Sequence, residues 1–298
     1  MGKKKRGKTI VVITIVAVLA LITLLVFINN FNKDINLSPS QPTQVRVQVK
    51  NSPPTITSIQ SIPNVNLNPS PSTTNVVFTF IARDSNGANE LVDSSAFAQF
   101  TNTGEPTRSG TCSFQSTAQK EKAYQCTIPM NYYDKSGIWT VTVGIQDAQA
   151  ASVQGSSTFT VNLLRDISIT PTTINFPAAA PGDLNVRSAD NTTITNNGNF
   201  QAPPGTISAT AFDLTGETNS TEKIPAANFK IAGSSQSNVC GSGNSLTHAS
   251  SITVTTSNLS RGATGNTEKL SYCLTTVPEI SSQYYSATGG NSWVININ

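Results

Sequence analysis

The chain has 298 residues and a formal net charge of +3, with 12% charged residues, 19 Gly, 16 Pro, four Cys and one His. The Gly and Pro content is too low for a collagenous or wholly disordered chain, and one His excludes a multi-His metal site. Lys3, Lys4, Lys5, Arg6 and Lys8 hold the positive excess and leave 14 cations against 16 anions beyond them, so there is no broad basic face and no nucleic-acid partner is expected.

Residues 9–28, TIVVITIVAVLALITLLVFI, carry no charge. Twenty helical residues at 1.5 Å each cross a hydrocarbon core of ~30 Å. The basic cluster just before them keeps the N-terminus inside. The expected order is a cytoplasmic basic tail (1–8), a transmembrane signal anchor in the lipid bilayer (9–28) and an extracellular remainder. A cleaved signal peptide is the alternative. It would end in small residues, whereas this run ends Leu25-Val26-Phe27-Ile28-Asn29-Asn30. A pilin-type leader cut at Arg6-Gly7 lacks the acidic residue near the start of its apolar run.

Residues 29–74 read as an extracellular stalk. Pro39, Pro42, Pro53, Pro54, Pro63, Pro69 and Pro71 deny helix, and such segments act as semi-rigid spacers. Inside the stalk, Val45, Val47 and Val49 alternate with Arg46, Gln48 and Lys50, the period of a half-buried strand. Its apolar face must dock on the following domain or on a neighbouring molecule.

Beyond the stalk, short strands alternate with turn signals. A first block has candidate strands at 76–82, 96–101, 112–114, 123–128, 138–145 and 157–163. A second has them at 167–169, 206–212, 252–255, 270–275 and 293–297. The expected class is all-β, with two tandem β-sandwiches over 75–164 and 165–298, the first strand starting as early as residue 55. The blocks share ordered landmarks. Asp84, Cys112, Tyr124-Gln125-Cys126, Pro129 and Trp139 run parallel to Asp213, Cys240, Tyr272-Cys273, Pro278 and Trp293.

Outside the cell, four cysteines read as two disulfides. The landmarks pair Cys112 with Cys126 and Cys240 with Cys273, which keeps each bond inside one module. Sequons at Asn36, Asn191, Asn219 and Asn258 are glycosylation candidates. Asp84, Asn86, Glu90 and Asp93 cluster oxygen ligands of the kind calcium takes, although Asp and Asn before Gly87 are also plain turn residues. No other cofactor is indicated.

Catalytic motifs are absent. His248 lies in the polar run GSGNSLTHASS, and Asp134 opens a Lys135-Ser136-Gly137 turn where a solvated carboxylate is expected. A hydrolase using His248 is the weakest reading, and the chain is expected not to be an enzyme.

Val49-Lys50-Asn51-Ser52-Pro53-Pro54-Thr55-Ile56 resembles the junction between tandem immunoglobulin-like modules of prokaryotic surface proteins. Tyr132-Tyr133-Asp134 through Gly137-Ile138-Trp139-Thr140-Val141 resembles a late strand of the same class. Tyr124-Gln125-Cys126 is similar to the tyrosine corner of antibody domains, yet a Cys pair 14 residues apart is too short for an inter-sheet bond and implies a hairpin clamp. The second block, through Asn175-Phe176, Pro181-Gly182-Asp183 and Ile194 to Asn199, is similar to secreted envelope and biofilm-fibre sandwiches and to membrane-anchored archaeal surface proteins. The resemblance implies immunoglobulin-like sandwiches acting in adhesion, surface recognition or envelope structure, with surface glycans or other surface proteins as partners. A second reading is self-assembly into a filament, residues 45–49 completing a neighbour's sheet.

Overall fold

The computed structural model describes residues 6–31, 44–287 and 291–298, with side chains of residues 15–29 in the first segment. The chain forms two units, Met1–Lys50 and Asn51–Asn298.

The first unit holds helix α1 (Arg6–Phe31), 26 residues that include the predicted span. Its described apolar side chains from Ile15 to Ile28 are 50–66% exposed. They cover every side of the helix, whereas a soluble helix buries one stripe. Among the described residues no helix is long and apolar enough to cross a membrane; described side chains in α1 run from Ile15 to Asn29 only. Residues 44–50 follow in no regular structure. Val45, Val47 and Val49 are 80–83% exposed, so the alternating segment joins no sheet here.

The second unit is all-β and built of antiparallel sheets. Its first module contains β1 (Thr55–Ile59), β2 (Thr73–Arg83), β3 (Phe97–Thr101), β4 (Arg108–Ala118), β5 (Glu121–Asn131), β6 (Gly137–Gln146) and β7 (Ser152–Val161). They pair in the order β1-β2-β5-β4-β3-β6-β7. In β2, β3, β5 and β6 every second residue faces one core, the period a pleated strand imposes. Val76, Phe78, Phe80 and Ala82 of β2 meet Trp139, Val141, Val143 and Ile145 of β6 in that core. Phe100 bridges the two sides, with its ring centroid 5.8 Å from Phe78 and 4.6 Å from Phe159. Each such side chain contributes about 1.5–3 kcal/mol by leaving water.

Strand β4 makes the sheet fold over. Its start pairs with β3 and its remainder with β5, and Thr111 faces both Phe97 and Thr127. The changeover needs a bare backbone: a Cβ on Gly110 would lie 1.9 Å from the Thr127 carbonyl oxygen. Residues 55–67 correct the stalk boundary. β1 pairs with β2, and Ile62, Val65 and Leu67 are buried in the same core. Proline forbade helix there but left room for an edge strand.

The second module begins with β8 (Ile167–Thr170), β9 (Leu184–Arg187), β10 (Thr192–Asn196), β11 (Ile207–Ala211), β12 (Leu214–Gly216) and β13 (Lys223–Ile224). It continues with β14 (Phe229–Gly233), α2 (Val239–Ser242), β15 (Asn244–Ser245), β16 (Ser250–Thr253), β17 (Thr267–Thr276), β18 (Tyr285–Ser286) and β19 (Val294–Ile297). The main sheet runs β15-β14-β17-β10-β8, with β9 also on β17; smaller sheets are β16-β11-β19 and β13-β12-β18. Ile194, Ile207, Phe229, Ile231, Leu270 and Tyr272 form its core. The two strand orders differ, so the parallel landmarks are not equivalent positions. Trp139 is fully buried within β6, whereas Trp293 lies just before β19 and packs edge-on against Phe229 at 5.1 Å.

Candidate functional site

A cluster of buried polar groups, Asp134, Asn196 and Asn199, lies where the two modules meet. Asp134 is fully buried, so the solvated turn expected there is corrected. Its carboxylate accepts two bonds from Arg108 Nε at 3.0 Å, another from Arg108 Nη2, and the Asn131 N–H at 2.9 Å. A buried carboxylate needs such partners, because an unpaired one costs several kcal/mol. Burial opposes the Arg108 charge, but the Asp134 bonds and charge outweigh it and raise the guanidinium pKa.

The second module closes on this turn. Asn199 Nδ2 donates to the Asp134 carbonyl and to the Asn162 carbonyl, both at 3.0 Å, and Asn199 Oδ1 accepts the Leu164 N–H at 2.6 Å. Arg261 pairs with Glu105 and donates to the Tyr133 carbonyl at 3.0 Å. Tyr132 donates its hydroxyl to the Gly262 carbonyl at 3.1 Å. Gly198 permits the approach, since a Cβ there would lie 2.2 Å from the Leu164 carbonyl oxygen. The joint is a set of directional bonds, and such bonds fix an angle between modules rather than merely holding them near each other.

The other end of the first module carries the expected oxygen cluster, and the structure disperses it. Asp93 Oδ1 accepts from Lys122 Nζ at 2.8 Å and from the Tyr124 hydroxyl at 2.7 Å. Burial pushes the Asp93 pKa up, but those two bonds and the Lys122 charge bring it below its ordinary value. Asp84 is fully buried and caps its own turn, accepting the Asn86 N–H at 2.7 Å on Oδ1; its Oδ2 has no hydrogen-bond partner. Asn86 Oδ1 accepts the Ser52 N–H at 2.8 Å. Glu90 ends a short 3-10 turn, and its carbonyl accepts the Ala148 N–H at 2.8 Å. Among the described residues no three His, Cys, Asp or Glu side chains gather as a metal site.

The residue missed at this end is Asp147, which is buried. Asn51 Nδ2 donates to its Oδ2 at 2.8 Å, and the Gln149 and Ala151 N–H groups donate to Oδ1. The Asn51 bond, with the two backbone bonds behind it, outweighs burial and holds the Asp147 carboxyl below the usual range. The Asn51-Ser52-Pro53-Pro54 junction is therefore pinned to both apical turns.

Disulfides join Cys112 to Cys126 and Cys240 to Cys273. The first links directly opposed residues of β4 and β5, with Cα atoms 4.0 Å apart, so it clamps neighbouring strands. The second ties α2 to β17. Asn191, Asn219 and Asn258 are exposed, while Asn36 lies outside the described residues. His248 is 53% exposed, and its Nδ1 is 3.1 Å from both the N–H and the Oδ1 of Asp213. Nδ1 can accept from the first or donate to the second according to the ring's tautomer.

No family model matches this sequence, and no curated protein matches it. Solved structures that overlap it include the secreted serine protease VesC from Vibrio cholerae, at 8% identity and TM-score 0.23, covering 76% of this chain and 48% of that one. Dimeric latent PorU from Porphyromonas gingivalis overlaps at 14% identity and TM-score 0.26, over 86% of this chain and 21% of that one. A tandem pair of titin Ig domains overlaps at 8% identity and TM-score 0.24, over 84% of this chain and 96% of the pair. The chain thus spans less than half of either bacterial protein, and scores this low carry no activity across.

Proposed function

We propose that this is a non-enzymatic, single-pass cell-surface protein: two tandem immunoglobulin-like sandwiches held outside the cell by α1, acting in adhesion, surface recognition or envelope structure. The observation that carries the reading is the polar joint centred on Asp134, which makes a fixed two-module arm of the disulfide-bonded unit. Two further features support it. The described part of α1 is apolar all round, and three sequon asparagines are exposed. Protease added to intact cells should remove the C-terminal modules, and the released fragment should run faster on non-reducing than on reducing gels. A fragment protected from protease until the cells are lysed would overturn the surface assignment.

A second reading is favoured by the exposed valines. Val45, Val47 and Val49 form an alternating apolar row outside any described sheet, the form of a strand that completes a neighbour's sheet. Electron microscopy of protein released from cells should then show filaments, and discrete single particles would end that reading.

A further inference from the structure

We infer that the bare edge of β7, facing β1 in the first module, accepts residues 45–49 of a second copy of this chain as an added strand. The inference deepens the filament reading above and rests on it.

Only one side of β7 is bonded along its whole length. Ser152 to Val161 pair with β6 from Gln146 back to Gly137. On the other side, Val65 donates its N–H to the Thr160 carbonyl at 2.8 Å and accepts the Asn162 N–H at 2.9 Å. In a strand, the N–H and C=O of one residue point to the same side, and the side alternates along the chain. The groups on the Val65 side therefore belong to even-numbered residues, which continue as Thr158, Ser156 and Gln154. Among the described residues, no backbone group of these three has a partner on that side. Such an edge is a template for another strand.

The core thins at the same place. Phe159 and Val161, beside Val65, are 4% and 1% exposed, whereas Val153, Gly155 and Ser157 on the same face are only half-buried. β1 pairs with β2 alone, and a groove of about 470 Å³ lies between Thr55–Ile59 and residues 153–157. Ile56 and Ile59 are half-buried at the margin of the core and give the groove an apolar wall. Val65 supplies β7 with backbone partners and an inward apolar side chain. Residues 153–158 lack both.

The chain itself carries a segment of that form. Val45, Val47 and Val49 recur every second residue, about 6.8 Å apart in a strand, the spacing of Val153, Gly155 and Ser157. Residues 44–50 have no regular structure, and the valines are 80–83% exposed, so they cover nothing in their own chain. Every copy thus holds one donor segment and one acceptor edge at different places. A contact between them is head-to-tail and repeats from copy to copy.

The test keeps the full-length protein, in detergent, and separates donor from acceptor. Val47→Asp lies outside the sandwich, so it disables the donor and spares the acceptor. A fluorescent peptide of residues 44–50 should bind this variant one to one. The same peptide with Val47→Asp should bind at least tenfold more weakly. Adding Ser156→Pro removes an outward N–H while sparing the bonds to β6, and should abolish peptide binding at an unchanged thermal midpoint. A benzophenone replacing Val47 in the peptide reads the site without any change in the sandwich, and should cross-link to residues 55–59 or 153–158. Absence of peptide binding overturns the inference, and so does a cross-link elsewhere. A parent protein that stays monomeric and excludes the peptide, while Val47→Asp binds it, would show the segment filling its own chain's edge and overturn the second-copy assignment. Filaments seen by electron microscopy, with peptide cross-links elsewhere, strike this acceptor and leave the filament reading standing; discrete single particles end both.

Discussion

Arg261 of the second module grips Glu105 of the first across 156 residues of chain, with the Glu105 side chain only 5% exposed. The Glu105 bonds raise the Arg261 guanidinium pKa against the opposing effect of burial. Hydrogen bonds to charged partners are worth about 1.5–3 kcal/mol. Glu105→Gln should therefore cost roughly 2 kcal/mol in denaturant unfolding. A double-mutant cycle with Arg261→Gln should recover about 1 kcal/mol or more as coupling. Strictly additive losses would show that the pair contributes nothing to the joint.

Asp134 should be the most sensitive position in the joint. Asp134→Ala leaves the part-buried Arg108 guanidinium, 17% exposed, without its partner; breaking a fully buried pair costs about 3–5 kcal/mol, and this one should cost toward the lower end, about 3 kcal/mol. Replacing both members, Asp134→Leu with Arg108→Met, should recover much of that loss, because the uncompensated charge is gone. Chemical denaturation of the single and double variants distinguishes the two cases. A double variant no more stable than Asp134→Ala would place the cost in lost backbone bonds, such as that from the Asn131 N–H.

Gly198→Ala tests whether the joint fixes geometry or only adds stability. The new Cβ would meet the Leu164 carbonyl oxygen at 2.2 Å, so the Asn199 turn must move off Leu164 and Asp134. Leu164 and Phe200 border the two cores at this turn, but most of each core lies away from it and should persist. Small-angle scattering should show a longer maximum dimension or a wider spread of intermodule distances, with far-ultraviolet circular dichroism unchanged. An unaltered scattering profile would show that the modules keep their angle without these bonds.

Much of the first module was legible in its sequence because its strands bury alternate residues. The run from Gly137 to Gln146 puts Trp139, Val141, Val143 and Ile145 inward in strict period. The second module was harder. β13, β15 and β18 are two residues long, below the reach of any periodicity, and β10 is Thr192-Thr193-Ile194-Thr195-Asn196, buried at its centre yet polar in composition. The joint was least legible of all. Asp134 heads a Lys-Ser-Gly turn that looks solvated from its neighbours, and its burial depends on Arg108 and Asn199, 26 and 65 residues away. Arg261 and Glu105 carried no local signal either. The proline-rich stretch near Ile62 and Val65 misled in the opposite sense, because apolar residues between prolines belonged to a core.

The two disulfides should contribute unequally. On loop entropy alone, the 14-residue and 33-residue separations correspond to about 3 and 4 kcal/mol. Reduction should lower the unfolding midpoint in denaturant, and Cys240→Ala with Cys273→Ala should account for the larger share. The second bond also fastens α2, whose Val239 packs with Ala232 in a small satellite core. If removing the Cys112–Cys126 pair proved costlier, strand clamping between β4 and β5 would outrank loop closure.

High pH should unfold the protein through buried tyrosines. Tyr272 is fully enclosed in the second core, and burial, offset in part by the Thr192 hydroxyl, pushes its pKa up to about 12. Tyr124 in the first core is raised as well, by burial and then by Asp93. In the unfolded chain both titrate near 10. Between pH 10 and 12 the unfolded state therefore loses protons that the folded state keeps, and stability falls with rising pH. The stabilisation is complete below the unfolded pKa and is lost as pH climbs toward the folded one. At about 1.4 kcal/mol per unit, Tyr272 alone could remove up to ~3 kcal/mol. Tyr272→Phe keeps the ring but gives up the hydroxyl bond to Thr192, 3.1 Å long. That variant should be less stable at pH 7, by about 1 kcal/mol for the lost bond, yet lose less on going from pH 9 to pH 12. Denaturant midpoints across that range separate the two effects. A parent and variant that decline in parallel would mean that Tyr272 ionises in the folded state as readily as in the unfolded one.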